Sequence, residues 1–176
     1  LPTGGGEIES WMSLIGEATG DQSGRALAGV DVDGDGIDEI IIGAHENDEA
    51  GSSAGKAYIV EFTTIQDTAH YVPLTDTTLY PHAIYSGERV GWALSTAGDI
   101  DADGLDDFLI GSPMAGSDSG NAYLLLGASI GEGDMDLTNA DHIFEGISTG
   151  DAAGYALAGL GDVQGDGLDD FVIGAN

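Results

Sequence analysis

Short apolar runs recur along the chain, each preceded by acidic residues and followed by glycine. Three of them consist of β-branched or bulky residues: Ile40–Ile42, Phe108–Ile110 and Phe171–Ile173. Runs of this length and composition are typical of buried strands and are too short for helices. Further apolar segments at 56–60 and 121–125 follow the first two runs. The pattern predicts an all-β chain of short strands.

The strands belong to a longer repeat. A Gly-x-Ala-Leu tetrapeptide precedes each run, at 24–27, 91–94 and 154–157. An aspartate opens the acidic segment that follows at positions 31, 99 and 162, which gives spacings of 68 and 63 residues. That length holds four short strands with their turns, and such periods indicate repeat architectures. We predict one segment of repeats over residues 1–176, with a first repeat over about 14–85, a second over about 86–144 and a partial third over about 145–176.

The acidic segments carry the candidate chemistry. Each has oxygen-bearing side chains at positions 1, 3, 5 and 9 and glycine at position 6. Calcium is a hard cation that binds oxygen ligands, and a tight loop turns alternate side chains towards one centre while the carbonyl of position 7 adds an oxygen. The predicted ligands are Asp31, Asp33, Asp35, Ile37 and Glu39; Asp99, Asp101, Asp103, Leu105 and Asp107; and Asp162, Gln164, Asp166, Leu168 and Asp170.

Two other interpretations of these loops are weaker. Aspartate and glycine are common turn residues, but four or five carboxylates within nine residues repel one another without a counter-ion. The EF-hand loop begins in the same way and requires a glutamate at position 12. This chain has Ile42, Ile110 and Ile173 there, inside the predicted strands. The sequence therefore predicts calcium loops between strands.

The three loops are not equivalent. Gln164 replaces an aspartate at position 3 of the third loop and offers a neutral oxygen, which predicts weaker binding. Glu39 at position 9 of the first loop is one methylene longer than aspartate. The first repeat is also one residue shorter before its loop, where Val30 stands in place of a glycine. The aspartates at position 8 are expected to point away from the ion: Asp38, Asp106 and Asp169.

Together, the glycine before a short strand, the acidic loop, the apolar strand and a closing Gly-Ala-Pro element resemble the FG-GAP repeats of integrin alpha-subunit β-propellers. The closing element is Gly43–His45, Gly111–Pro113 and Gly174–Asn176, so its proline is present only once. The resemblance implies four-stranded propeller blades with calcium in the hairpin between the first two strands. It also implies adhesion through loops on the opposite face.

The strand count predicts incomplete blades at both ends. We expect a lone strand near 12–15, two sets of four strands over about 25–85 and 91–144, and the first two strands of a third set over 154–176. A closed propeller has about four to eight blades, so other polypeptide is expected to cover the open strand edges. The partner is either the rest of a longer propeller or another copy of the chain, joined by strand addition into a ring or a filament. Two connectors, 63–81 and 131–139, are predicted as loops that either carry recognition or only join strands.

Composition sets the expected environment. Thirty-two acidic residues against three basic ones give a formal charge of −29, while 41% hydrophobic residues suffice for a core. Nucleic acids and anionic membrane surfaces should be repelled. Cysteine is absent, so no disulfide staples the fold. No apolar stretch is long enough to insert into a membrane. Because extracellular calcium modules bind with Kd of about 10⁻⁴ to 10⁻³ M, the loops favour a secreted or cell-surface protein with structural calcium.

Signals for catalysis are poor. Gly51–Gly55 matches the G-x-S-x-G pattern around Ser53, but that motif needs a strand-to-helix elbow, and here it precedes a strand. The four histidines are scattered without a metal-binding spacing. We therefore expect no enzyme. Three functions stay open: a calcium-stabilised extracellular module for adhesion to a protein or glycan or for self-assembly, a structural subunit of a filament or surface layer, and a noncatalytic part of a secreted hydrolase.

Overall fold

The computed structural model describes residues 13–61, 71–74, 82–85, 89–131 and 135–176, and this part of the chain is nearly all β. The strands form two antiparallel blade sheets, a two-stranded sheet at the C-terminal end and a further parallel pair. The predicted fold class, propeller blades with partial blades beside them, is confirmed. The strands are β1 Ser13–Ile15, β2 Ala26–Val30, β3 Glu39–Ala44, β4 Lys56–Val60, β5 Tyr71–Pro73, β6 His82–Tyr85, β7 Ala93–Gly98, β8 Asp107–Ser112, β9 Asn121–Leu125, β10 Met135–Asp136, β11 His142–Glu145, β12 Ala156–Gly161 and β13 Asp170–Gly174.

Equivalent residues pair in the same way in each blade. The first blade has the order β6-β4-β3-β2 and the second the order β11-β9-β8-β7, with all of these neighbours antiparallel. Leu27 pairs with Ile42 in the first blade, as Leu94 pairs with Ile110 in the second. In the third sheet β12 pairs with β13 alone. An acidic loop therefore joins the first two strands of each blade and the two strands of the third sheet.

The length difference before the loops has a structural counterpart. The register shifts between Thr96 and Gly98 in the second sheet and between Gly159 and Gly161 in the third. Such a bulge places two residues opposite one and bends the strand. Val30 pairs directly with Glu39 in the first blade, where no shift occurs. The missing residue of the first repeat is thus the bulged one.

Alternate side chains of the central strands belong to different cores, because successive residues of a strand face opposite sides of the sheet. Ile41 packs in a cluster that also contains Phe108 and Ile110 of the second blade, whereas Ile42 packs with Tyr58 and Leu74 on the other side of the first sheet. A third cluster joins Leu109 of the second blade to side chains of β12 and β13. Since both faces of β3 and β8 are buried, their sequences are uninterrupted apolar runs.

Glycines permit close contact between neighbouring blades. A Cβ on Gly43 would overlap the carbonyl of Gly91, and one on Gly111 would overlap the carbonyl of Gly154. In each case the glycine that follows the apolar run within the second strand of one blade meets the glycine before the first strand of the next. The repeated glycines that frame the strands therefore set the spacing between blades.

Two strand pairings differ from the sequence expectation or extend it. The strand near 12–15 does form, at Ser13–Ile15, but it pairs in parallel with β5, which lies inside the connector that was predicted as a loop. The second connector likewise contributes β10, which pairs in parallel with β6 of the first blade. Both pairings give hydrogen-bond partners to strand edges that would otherwise be open. Residues 63–70 and 75–81 of the first connector lie outside the described residues.

Among the described residues, helical structure is limited to short turns at Ala115–Asp118, Gly127–Ser129 and Leu137–Asn139. In the part of the chain that the structure describes, no helix has the length and apolarity needed to cross a membrane.

Candidate metal centres

Each acidic loop is organised by its first aspartate. In the first loop the two carboxylate oxygens of Asp31 accept hydrogen bonds from the backbone amides of Gly34 (2.9 Å) and Gly36 (2.9 Å). Asp33 accepts from the Asp35 amide at 3.0 Å, and Asp35 from the Ile37 amide at 2.8 Å. Successive turns of this kind curl the backbone around the carboxylate of position 1. Gly36 at position 6 has φ 86°, which explains the requirement for glycine there.

The position 1 aspartate organises the other two loops in a similar way. Asp99 accepts from the amides of Asp103 and Gly104 at 3.1 and 3.0 Å, and Asp162 accepts from Gly165, Asp166 and Gly167 at 2.6 to 3.1 Å. In both loops the carboxylate at position 5 accepts a hydrogen bond from the amide of position 7, at 2.9 and 3.0 Å. Hydrogen bonds from the backbone, first of all from Gly167, lower the pKa of Asp162. The sequence repeat is therefore a repeat of one loop geometry.

The carboxylate at position 9 lies behind the loop, where the second strand starts. Glu39 is 3% exposed and accepts from the Val32 amide at 3.2 Å. Burial raises the pKa of Glu39 to about 7; the Val32 hydrogen bond opposes that rise, and Asp33 and Asp35 add to it. Asp107 is fully buried, and burial likewise raises its pKa, although it accepts from Ile100 and Gly127 at 2.9 Å each.

In two loops these carboxylates converge. Asp31, Asp33 and Glu39 each offer an oxygen within 4.8 Å of the others, and Asp99, Asp101 and Asp107 do the same. These are the residues at positions 1, 3 and 9. Carboxylate oxygens gathered at this spacing fit a hard cation such as calcium, which would also relieve their mutual repulsion. Of the predicted ligands, the position 5 side chains of Asp35 and Asp103 lie outside these two groups.

The third loop differs at the substituted position. The Gln164 side chain donates from Nε2 to Asp170 Oδ1 at 3.2 Å, and the Val163 amide donates to Asp170 Oδ2 at 3.0 Å. The amide nitrogen of Gln164, not its oxygen, thus faces the position 9 carboxylate. The prediction that this loop binds calcium more weakly is consistent with this placement and stays a prediction.

The position 8 aspartates have contacts that the sequence reasoning missed. The Asp106 amide donates to the Asp31 carbonyl at 3.0 Å, and the Asp169 amide donates to the Asp99 carbonyl at 3.2 Å. Both bonds cross from one blade to the preceding one. The signal in the sequence was the recurrence of aspartate at position 8 in all three loops, but only the blade arrangement shows its partner.

The cations lie at the opposite ends of the strands. Arg25 precedes β2, Arg89 precedes β7, and Lys56 begins β4 opposite Ala44. The Arg25 guanidinium lies 4.0 Å from the centre of the Trp92 ring. Lys56 is buried and binds Glu17 at 2.8 Å and Glu49 at 2.6 Å. The three basic residues of a chain with charge −29 therefore gather on the face away from the acidic loops.

Aromatic rings join the blades on that face. Trp92 contacts His45 of the first blade at 5.0 Å between ring centres and Tyr155 of the third sheet at 5.6 Å. Burial, together with Arg25 and Arg89, lowers the pKa of His45. Ser53, the centre of the G-x-S-x-G match, lies in a turn before β4, where its hydroxyl donates to Glu46 at 2.7 Å.

Comparison with known proteins relates these repeats to a protein family. The model of the FG-GAP repeat family matches residues 23–60 and 90–125. Each match begins shortly before the first strand of a blade and ends with its third strand, so each includes one complete acidic loop.

Curated relatives match over most of the chain. Integrin alpha-PS2 of Drosophila melanogaster is 30% identical over 172 residues, which is 93% of this chain and 12% of the relative. Integrin alpha pat-2 of Caenorhabditis briggsae is 31% identical over 180 residues, 96% of this chain and 15% of the relative. Human integrin alpha-IIb is 29% identical over 174 residues, 92% and 15% of the two chains. The chain thus spans less than one sixth of the length of these relatives.

Proposed function

Since the chain is an integrin alpha-like FG-GAP repeat protein, we propose that it is a calcium-stabilised, noncatalytic adhesion module located outside the cell. The observation that supports calcium most directly is the convergence of position 1, 3 and 9 carboxylates in both matched repeats. We assign the ion to the predicted loop oxygens: the side chains at positions 1, 3, 5 and 9 and the carbonyl of position 7.

Calcium bound in these loops would stabilise the fold. When bound, the ion supplies positive charge between carboxylates that otherwise repel one another. At calcium concentrations about 10 to 100 times Kd, each site adds roughly 1.4 to 2.7 kcal/mol. Three sites would contribute about 4 to 8 kcal/mol, a large share of the roughly 5 to 15 kcal/mol typical of a domain. The weak affinity typical of extracellular modules fits the proposed location.

Calcium binding is tested by thermal unfolding and calorimetric titration of the whole chain. We expect the Tm to rise with calcium and to fall after chelation. Asp33→Ala and Asp101→Ala each remove one converging carboxylate and should lower the number of bound ions. Glu145→Gln removes an exposed carboxylate from β11. It should leave the calcium-dependent rise in Tm and the number of bound ions unchanged. Equal Tm values in calcium and in chelator would contradict the proposal.

The adhesive role is supported by the integrin alpha likeness and by the face that holds Arg25, Arg89 and Trp92. This face is formed by loops on a rigid sheet scaffold, where binding residues are commonly found. The test is binding of the immobilised chain to panels of glycans and extracellular-matrix proteins, in calcium and in chelator. We expect calcium-dependent retention that Arg25→Ala or Tyr155→Ala weakens. Absence of retention across the panels would contradict adhesion to such ligands.

A second candidate function, assembly by blade completion, is favoured by exposed apolar side chains near the two-stranded sheet. Val163 is 67% and Val172 48% exposed. Most of the exposed large apolar residues in the described part of the chain lie in this region: Ile143, Phe144, Ile147, Tyr155, Leu160, Val163, Leu168 and Val172. Added strands, from a second copy or from further repeats, would cover them. Sedimentation velocity should then show concentration-dependent assembly that Val172→Lys weakens. A monomer at all concentrations, with and without calcium, would contradict assembly between copies.

A further inference from the structure

The acidic loops of neighbouring blades are joined by hydrogen bonds through position 8. Asp106 of the second loop donates its amide hydrogen to the carbonyl of Asp31, which is position 1 of the first loop, at 3.0 Å. Its carboxylate lies near the backbone of Asp31: burial raises the pKa of Asp106, and that backbone contact opposes the rise. Asp169 repeats the pair in the third loop: its amide donates to the Asp99 carbonyl at 3.2 Å, and its Oδ2 accepts from the Asp99 amide at 3.3 Å.

Side-chain packing strengthens the first of these junctions. A Cβ on Gly34 would lie 2.8 Å from Leu105 Cδ2, so the position 7 side chain of the second loop rests directly on the first loop. At the second junction a Cβ on Gly98 would lie 2.7 Å from the Asp169 Cγ. Gly98 is the residue that follows the bulge, and its lack of a side chain allows the Asp169 carboxylate to approach the Asp99 amide.

The first loop supplies an internal comparison. Asp38 occupies the same position 8, yet within the described part of the chain its carboxylate has no hydrogen bond. Asp38 therefore has the same loop position and charge as Asp106 and Asp169, but among the described residues it does not connect two loops.

We propose that Asp106 and Asp169 are positioning residues that couple calcium binding between neighbouring blades. Each holds the backbone of position 1, the residue whose carboxylate organises the preceding loop. An ion that orders the second loop fixes Asp106 and thereby fixes Asp31, so the first loop has less conformational entropy to lose when it binds. Thermodynamic linkage makes the effect reciprocal. The inference rests on the proposed calcium binding of the loops.

The test is a site-resolved calcium titration of the whole chain. Backbone amide NMR signals of Gly36, Gly104 and Gly167, the position 6 glycines, report each loop separately. We expect Asp101→Ala, which disables the second loop, to weaken calcium binding at the first loop by about five-fold or more. In an Asp106→Ala background the same Asp101→Ala change should alter first-loop affinity much less, as a double-mutant cycle would show.

The second junction gives an independent measurement if Asp106→Ala fails to fold. Asp166→Ala disables the third loop and should weaken calcium binding in the second loop, which the Gly104 signal reports. In an Asp169→Ala background, Asp166→Ala should weaken second-loop binding less. Asp38→Ala removes the same charge without an inter-loop bond and should preserve the coupling. Circular dichroism at saturating calcium verifies the fold of each variant. Three loops that bind calcium with unchanged affinity after a neighbour is disabled would overturn the coupling alone. No calcium uptake in any loop would overturn the proposed function with it.

Discussion

The position of an aspartate within a loop determines which groups it binds. Asp31 at position 1 accepts hydrogen bonds from backbone amides of its own loop, whereas Asp106 at position 8 contacts the backbone of the neighbouring blade. Glu39 at position 9 is buried against the start of the strand. Acidic residues of one loop are thus divided between shaping the proposed cation site, attaching it to the sheet and joining it to the preceding blade.

Calcium binding to the first loop should release protons near neutral pH. Burial raises the pKa of Glu39 from 4.5 to about 7 in the calcium-free fold. The raised pKa means that Glu39 contributes to stability in its protonated form: the contribution is full below pH 4.5 and is lost as the pH rises through about 7. A bound ion requires the carboxylate, so calcium displaces the proton and its affinity should increase with pH in this range. Titration calorimetry at pH 7 in buffers of different ionisation enthalpy measures the release.

Two variants test the origin of these protons. Glu39→Gln should remove the proton release assigned to the first loop, because the amide does not titrate. Glu145→Gln, on the exposed face of β11, should leave the release unchanged. Identical proton release by Glu39→Gln and the unmodified chain would show that another group titrates.

His45 should make the protein less stable in mild acid. Burial lowers its pKa from 6.5, and the charges of Arg25 and Arg89 lower it further against the opposing charge of Glu46. The unfolded chain therefore takes up the proton first, and stability present above pH 6.5 is lost as the pH falls towards the folded-state pKa. The slope for one proton is at most about 1.4 kcal/mol per pH unit. Denaturant unfolding between pH 5.5 and 7.5 in saturating calcium measures it.

The histidine on β11 serves as the control for this prediction. His45→Asn should flatten the dependence of unfolding free energy on pH, while His142→Asn, at an exposed position, should keep it. A slope that survives His45→Asn would assign the effect to carboxylates.

At the scale of elements, the sequence predicted the strands that repeat and the loops between them. The apolar runs at 40–42 and 108–110 are predictable because both faces of their strands are buried, which makes each a short uninterrupted apolar segment. The run at 171–173 is predictable because it repeats them, although Val172 is 48% exposed. The short Val30 segment correctly indicated a local difference, which the structure shows to be a missing bulge.

Elements that depend on long-range pairing were not predictable. The strands β5 and β10 have two or three residues each, and they form because a neighbouring edge accepts them in parallel. Their own sequences carry no period that identifies a strand. The role of Asp106 was missed for the same reason: its partner is 75 positions earlier in the chain, in another blade. Local patterns specify a loop, and the packing of blades specifies what touches it.

The contact between blades should be sensitive to one methyl group. Gly111→Ala places a Cβ against the carbonyl oxygen of Gly154, and backbone atoms cannot rotate away. We expect a loss of about 1 to 3 kcal/mol in unfolding free energy, as for other overpacked sites. Gly131→Ala adds the same methyl where no atom lies within 4 Å, so its effect should be within about 0.5 kcal/mol. Chemical denaturation in saturating calcium measures both, and equal losses would contradict the steric role of Gly111.

At the scale of the whole molecule, the acidic loops and the basic residues lie at opposite ends of the strands. Fourteen of the 32 acidic residues lie in the three loops, at one end of the strands, and the three basic residues lie at the other. Three calcium ions would offset only six of the 29 net negative charges. The fold therefore retains strong repulsion between acidic groups, most of all when the loops hold no ion.

This repulsion predicts how salt and calcium combine. In chelator, raising NaCl from 0.02 to 1 M shortens the Debye length to about 3 Å and should raise the Tm by several degrees. In saturating calcium the same salt increase should raise the Tm less, because the densest clusters already hold a cation. KCl should reproduce the effect of NaCl, since screening depends on ionic strength and not on which monovalent cation is present. Differential scanning calorimetry measures all four conditions. An equal rise with and without calcium would show that the dominant repulsion lies outside the three loops.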